Sequence, residues 1–188
     1  MTAGVRGQIR AAVDAAYAGT RGDLSDWADP HSQTREPELD EYSRVTDPER
    51  YLLLGARVDA WAEVLVARGI AAGEDLDPAA VVWSARATPP TDRSRQQRIT
   101  PLRSPDAASL LISRQRREDV DDLFLAIGVG EPAEQITLVP FCGCDACDDG
   151  SEPLIEQIDN VFEHLLFGDQ LYGLNQPPPR PPDPPWIG

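Results

Sequence analysis

Residues 110–141 read LLISRQRREDVDDLFLAIGVGEPAEQITLVPF, and their apolar positions recur with a period close to two. Leu110 to Arg116 makes one such run. Leu123, Leu125, Ile127 and Val129, alternating with Phe124, Ala126 and Gly128, make a second, and Ile136 to Phe141 a third. Alternation sends successive side chains to opposite faces of a sheet, which suits half-buried strands. Gly130-Glu131-Pro132 supplies turn chemistry between the second and third runs. Upstream, Ile99 to Arg103 adds a fourth, joined to Leu110 through Ser104-Pro105-Asp106 as a hairpin connection. The stretch therefore predicts an antiparallel meander of about four strands over roughly residues 98–141.

Outside the meander the period lengthens. Val5, Ile9, Ala12, Val13, Ala16 and Tyr17 fall at helical spacing between Thr2 and Gly19. A second helix is expected from Asp47-Pro48-Glu49, where Asp47 can cap free amides and Pro48 suits the first helical position. Its stripe of Tyr51, Leu54, Val58, Trp61 and Leu65 runs to a stop at Arg68-Gly69. A third helix begins at Ser151, with Leu154, Ile155, Ile158, Val161, Phe162 and Leu165 forming an apolar face to lie on the sheet. Between the first two helices, residues 20–46 are polar and proline-broken, with Trp27 and Tyr42 as the expected anchors. Asp77 to Trp83 is too short to assign, and Pro89-Pro90 through Gln97 reads as a flexible connection.

The fold class is thus α+β: two N-terminal helices, a meander and one C-terminal helix. With 188 residues, one core is expected, in a single domain over 1–170. Residues 171–188, which hold Pro177-Pro178-Pro179-Arg180-Pro181-Pro182, are expected to be an extended or disordered tail.

Composition narrows the chemistry. All 17 basic residues are arginine, so phosphate-loop lysines, Schiff bases and lysine general bases are excluded. The only imidazoles are His31 and His164. A net charge of −15 argues against nucleic acid as a partner. The charge is uneven, because eight arginines between Arg86 and Arg117 face only Asp92 and Asp106. Those strand arginines lack interleaved aromatics, and pairing with the chain's own carboxylates is the expected role. No apolar run reaches membrane-spanning length and the first residues lack a signal-peptide pattern, so a cytoplasmic protein with reduced thiols and no membrane partner is expected.

Chemistry concentrates in Cys142-Gly143-Cys144-Asp145-Ala146-Cys147-Asp148-Asp149-Gly150, between the last strand and the third helix. Zinc takes four donors in a tetrahedron, and thiolates are among its preferred ligands. Cys142, Cys144 and Cys147 with Asp148 make one candidate metal set. Asp145, Asp149 and His31 are further candidates for the fourth donor, while His164 falls off the apolar stripe of its helix. Cys144-Asp145-Ala146-Cys147 also has redox spacing, but the surrounding acids favour protonated thiols. Asp145, Cys147, Asp149, Gly150 and Glu156 follow an EF-hand spacing in which a strand, not a helix, comes first. A purely structural loop, its thiols packed and its acids capping the helix, fits as well.

The segment Leu123 to Asp159, with Gly128-Val129-Gly130-Glu131-Pro132 and Cys142-Gly143-Cys144-Asp145-Ala146-Cys147-Asp148, resembles an uncharacterised family of small acidic actinobacterial proteins. That resemblance implies a shared lineage and a shared loop and carries no activity. Three functions stand open: a non-enzymatic interaction or accessory domain with a zinc-bearing loop and a protein partner, an acidic inhibitor or immunity-like protein for a basic partner, and a thiol-dependent redox enzyme.

Overall fold

The computed structural model describes residues 3–31, 35–84, 93–102, 108–117 and 120–167. In chain order these form α1 (Ala3–Thr20), α2 (Leu52–Ala67), β1 (Ala71–Leu76), β2 (Arg93–Pro101), β3 (Leu110–Arg117), β4 (Val120–Val129), β5 (Glu134–Val139) and α3 (Ser151–Phe167), with single-turn 3-10 segments at Leu39–Tyr42, Pro48–Tyr51, Pro78–Ala80 and Asp145–Cys147. The five strands are ordered β1-β2-β3-β4-β5, each antiparallel to the next. The meander expected from the alternating runs is there, with one more strand at its edge. The Ser104-Pro105-Asp106 connection and the proline tail lie outside the described residues.

The core fills the space between one face of this sheet and the helices. Leu110 and Ile112 of β3, Leu125 and Ile127 of β4, Ile99 of β2 and Val139 of β5 meet Leu54, Val58, Trp61 and Leu65 of α2 there. Apart from a few positions α2 is buried all round, as befits a helix lying between α1, α3 and the sheet. The apolar face of α3 packs chiefly on α2 and also meets the sheet at β5, as expected of it in part. Phe162 stacks on Trp61, centroids 5.2 Å apart and planes within 3°. Burying two such rings is worth about 1.5–3 kcal/mol each. On the other face of the sheet Trp83 covers Leu111, Ala126 and Ala133.

Charge is carried into this core in pairs. Arg57 Nε donates to Asp159 Oδ1 across 2.7 Å, with both side chains almost fully buried, and the Trp61 indole N–H reaches the same oxygen at 2.5 Å. Arg10 Nη2 completes the shell 2.5 Å from Asp159 Oδ2. Arg114, 3% exposed, passes beneath Gly55 of α2 to bond Asp59 at 2.6 Å. Three further strand arginines also meet the protein's own acids, Arg95 with Asp75, Arg98 with Glu74 and Glu131, and Arg116 with Asp121. This is the internal pairing expected of them.

Several local expectations are corrected. Residues 93–97, read as a connection, belong to β2, because ladder pairing to both β1 and β3 outweighs their polarity. Asp47 is in the left-handed region (φ 50°, ψ 59°) and gives no capping bond, so Pro48–Tyr51 forms a 3-10 turn ahead of α2. Gly69, at φ +61°, closes α2 as the sequence suggests. Trp27 is an anchor, whereas Tyr42 is 54% exposed.

Candidate metal centre

β5 ends at Val139, and Pro140-Phe141 leads into the cysteine run, which closes as one 3-10 turn, Asp145–Cys147, before α3 begins at Ser151. The backbone N–H of Cys147 donates to the Cys144 carbonyl at 3.1 Å, which folds the third cysteine back toward the second. The sulfurs of Cys142 and Cys144 are 3.1 Å apart, and the Cys144 N–H points at the Cys142 sulfur at 3.5 Å. All three Sγ atoms lie within 4.8 Å of one another. Cys144 is buried, Cys142 half-buried and Cys147 exposed, so the cluster reaches from the interior to the surface.

Two acids of the loop, Asp145 and Asp148, are turned to partners outside the sulfur group, while Asp149 is exposed. Asp145 accepts from the Thr46 N–H and hydroxyl, both at 2.6 Å, and from Arg44 Nε at 2.7 Å; its own N–H donates to the Arg44 carbonyl at 2.8 Å. Burial raises its pKa, but the Thr46 and Arg44 hydrogen bonds outweigh that and bring it down to about 2. Asp148, 2% exposed, accepts from the Trp27 indole at 2.8 Å and from the Gly150 N–H at 3.0 Å. Arg50 Nη2 pairs with its other oxygen at 3.1 Å. The Arg50 guanidinium is itself seated over the Trp27 and Tyr51 rings, 5.7 and 5.0 Å from their centroids.

The irregular segment before α2 thus forms the wall of the loop. Ser151 N donates to the Trp27 carbonyl, Ser151 Oγ accepts from the Trp27 N–H, and Gly150, at φ +86°, sits where a Cβ would be 2.7 Å from Asp29 N. The segment is closed on itself by Glu41, whose carboxylate takes Arg35 at 2.6 Å, His31 at 3.1 Å and the Glu38 N–H at 2.8 Å. The Glu38 hydrogen bond, acting against burial and helped by His31 and Arg35, holds Glu41 below the usual carboxylate range.

Of the four residues that the sequence offers as a metal set, the structure brings Cys142, Cys144 and Cys147 together and places Asp148 against Trp27, Gly150 and Arg50. Asp145, first in the EF-hand spacing, is taken up by Thr46 and Arg44. Two of the thiols, Cys144 and Cys147, are far from activated. Burial, then the neighbouring sulfurs, push Cys147 up to about 12, and burial and Cys142 likewise raise Cys144. The sequence reading attributed thiol protonation to the acids, whereas here it is the sulfurs and their burial that oppose ionisation. Three thiols in close contact resist becoming three bare thiolates, and a bound cation would reverse that balance.

Sequence reasoning missed Arg44, Thr46 and Arg50, whose partners lie about a hundred positions away. No spacing rule signals them; only Trp27, one of two aromatics in a polar stretch, points to this segment docking. Residues 13–177 match the model of a family described as a family of unknown function (DUF6226). No curated protein and no solved structure matches the chain.

Proposed function

We propose that this chain, which belongs to the family of unknown function DUF6226, is a non-enzymatic interaction or accessory domain whose Cys142, Cys144 and Cys147 hold one zinc ion as thiolates. The observation that carries the reading is the grouping of all three sulfurs within 4.8 Å of one another at the corner between β5 and α3. Thiolate sulfur selects zinc, copper(I) or iron–sulfur clusters, and the common iron–sulfur clusters are held by four cysteines where this chain has three. Zinc–sulfur bonds of about 2.3 Å fit a loop whose sulfurs are already this close.

The ion would supply the positive charge that lets the thiols ionise. The Arg44–Asp145 and Arg50–Asp148 pairs hold the loop in shape from outside the sulfur group. Zinc bound to the folded loop and not to the unfolded chain adds directly to stability. Protein purified under reducing conditions should lose thermal stability on chelation and regain it when zinc is returned. A melting curve indifferent to chelator would remove the zinc part of the reading.

A second reading has its own observation. An open groove of about 830 Å³ lies between residues 26–28 and α3, with Asp26, Glu152, Glu156 and Glu163 along it against Arg10. On this reading the chain is an acidic inhibitor that meets a basic partner through the groove, by charge and independently of the thiols. Replacing all three cysteines with serine would leave such binding intact, and salt would weaken it. Salt-indifferent binding would count against it.

A further inference from the structure

A zinc ion held by three sulfurs has a fourth position, and the nitrogen and sulfur donors of the whole chain can be counted. All three cysteines are already in the cluster, and the only imidazoles are His31 and His164. His31 Nε2 lies 3.1 Å from Glu41 and its Nδ1 4.0 Å from Asp29. His164, on α3, lines an apolar groove with Leu110, Val129, Ile136, Val161 and Leu165. Among the described residues no imidazole or carboxylate joins the sulfur group. The exposed member, Cys147, turns the outer side of the cluster to solvent. Closed structural zinc sites use four protein donors, whereas a site with three protein donors keeps one position for an exchangeable ligand.

Resting on the zinc reading above, we propose that this fourth position is a binding site for a neutral nitrogen donor from another molecule, an imidazole above all. Charge makes the selection. Zinc with three thiolates carries a net single negative charge, in a chain that carries −15 in total. A carboxylate, phosphate or second-molecule thiolate would add another negative charge to that centre, while imidazole leaves it unchanged and is a preferred zinc ligand. The surroundings favour an imidazole carried on a protein side chain. Phe141, directly before Cys142, is 68% exposed. Leu39 and Tyr42, 78% and 54% exposed, stand on the turn that packs against Asp145–Cys147. A histidine flanked by apolar residues would find its metal and its neighbours' contacts in one place.

The test uses the full chain with cobalt(II) in place of zinc. The sulfur-to-cobalt charge-transfer band reports the three thiolates, and the ligand-field bands report the fourth ligand. Imidazole should shift the ligand-field bands saturably while the charge-transfer band stays. A Leu-His-Leu peptide should bind about tenfold more tightly than Gly-His-Gly, the effect of a modest apolar burial. Phe141→Ser and Tyr42→Ser should erase that preference and leave the imidazole response alone. Equal affinity for the two peptides would overturn the protein side chain as source. Ligand-field bands that ignore imidazole, or move only with mercaptoethanol, would overturn the nitrogen site. Bands changed by His31→Ala or Asp149→Asn before any addition would assign the position to the chain itself. Failure of the charge-transfer band to form at all would instead remove the zinc reading, so the two failures are separable.

Discussion

The indole N–H of Trp27 donates to the carboxylate of Asp148 across 2.8 Å, tying a residue between α1 and α2 to the position directly after Cys147. Asp148 is buried, so its charge needs that bond, the Gly150 N–H and Arg50. Removing the indole donor while keeping an aromatic ring isolates the link. Trp27→Phe should cost about 1–3 kcal/mol in urea denaturation, the usual effect of leaving a buried acceptor short of one partner. It should also weaken zinc binding, since the loop loses one of its restraints. A Trp27→Phe protein as stable as the parent would show that the contact is incidental.

Asp145 gives a pH signature. Its pKa is about 2 in the folded protein, because the Thr46 and Arg44 bonds outweigh burial, against about 3.9 in an unfolded chain. A carboxyl lowered by folding stabilises above its unfolded value and loses that contribution as pH falls toward the folded one. The stability difference between the parent and Asp145→Asn should therefore be largest above about pH 4 and shrink between pH 4 and 2. Denaturant midpoints measured across that range would check it; a difference flat down to pH 2 would contradict the assignment.

Arg57 and Asp159 form a buried charge pair in the core, 2% and 0% exposed. Deleting one leaves the other buried and short of its partner. Asp159→Ala should destabilise by about 3–5 kcal/mol, and Arg57→Met combined with Asp159→Leu should recover much of that loss, since an apolar pair removes both charges together. Urea titrations of the single and double variants measure both effects. A double variant no better than Asp159→Ala would mean that Arg10 and Trp61, which also bind Asp159, dominate the site.

Gly150 tests how tightly the loop is seated. Its φ of +86° is unfavourable for residues with a Cβ, and there is no room for one against the backbone of Ala28 and Asp29. Gly150→Ala should destabilise by about 1–3 kcal/mol, read as a lower melting temperature, whether or not zinc is present. Gly4→Ala on α1, with nothing within 4 Å of the new methyl, serves as the control and should be neutral or slightly stabilising.

The parts of this molecule that repeat along the chain were legible, and the parts that meet across it were not. Tyr51, Leu54, Val58, Trp61 and Leu65 fall at helical intervals, and all are buried. The alternation from Leu123 to Val129 likewise places Leu125 and Ile127 in the core. Strand β1 escaped notice because Ala71–Leu76 is largely exposed; antiparallel pairing with β2 defines it, and no apolar period announces it. The local pattern Asp47-Pro48-Glu49 reads as a helix start with Asp47 as its cap, yet the Asp47 backbone is left-handed and its side chain gives no capping bond. The cysteine spacing announced a cluster, but the sequence could not say which way the acids between the thiols would point. That depends on Arg44, Thr46 and Arg50, brought to the loop by tertiary folding.

The zinc content of protein purified under reducing conditions with no added metal, determined by elemental analysis, bears most directly on the whole account. About one zinc per chain in the parent, and none when Cys142, Cys144 and Cys147 are all serine, is the predicted result. A folded parent protein without metal, melting at the same temperature as the triple-serine variant, would contradict it.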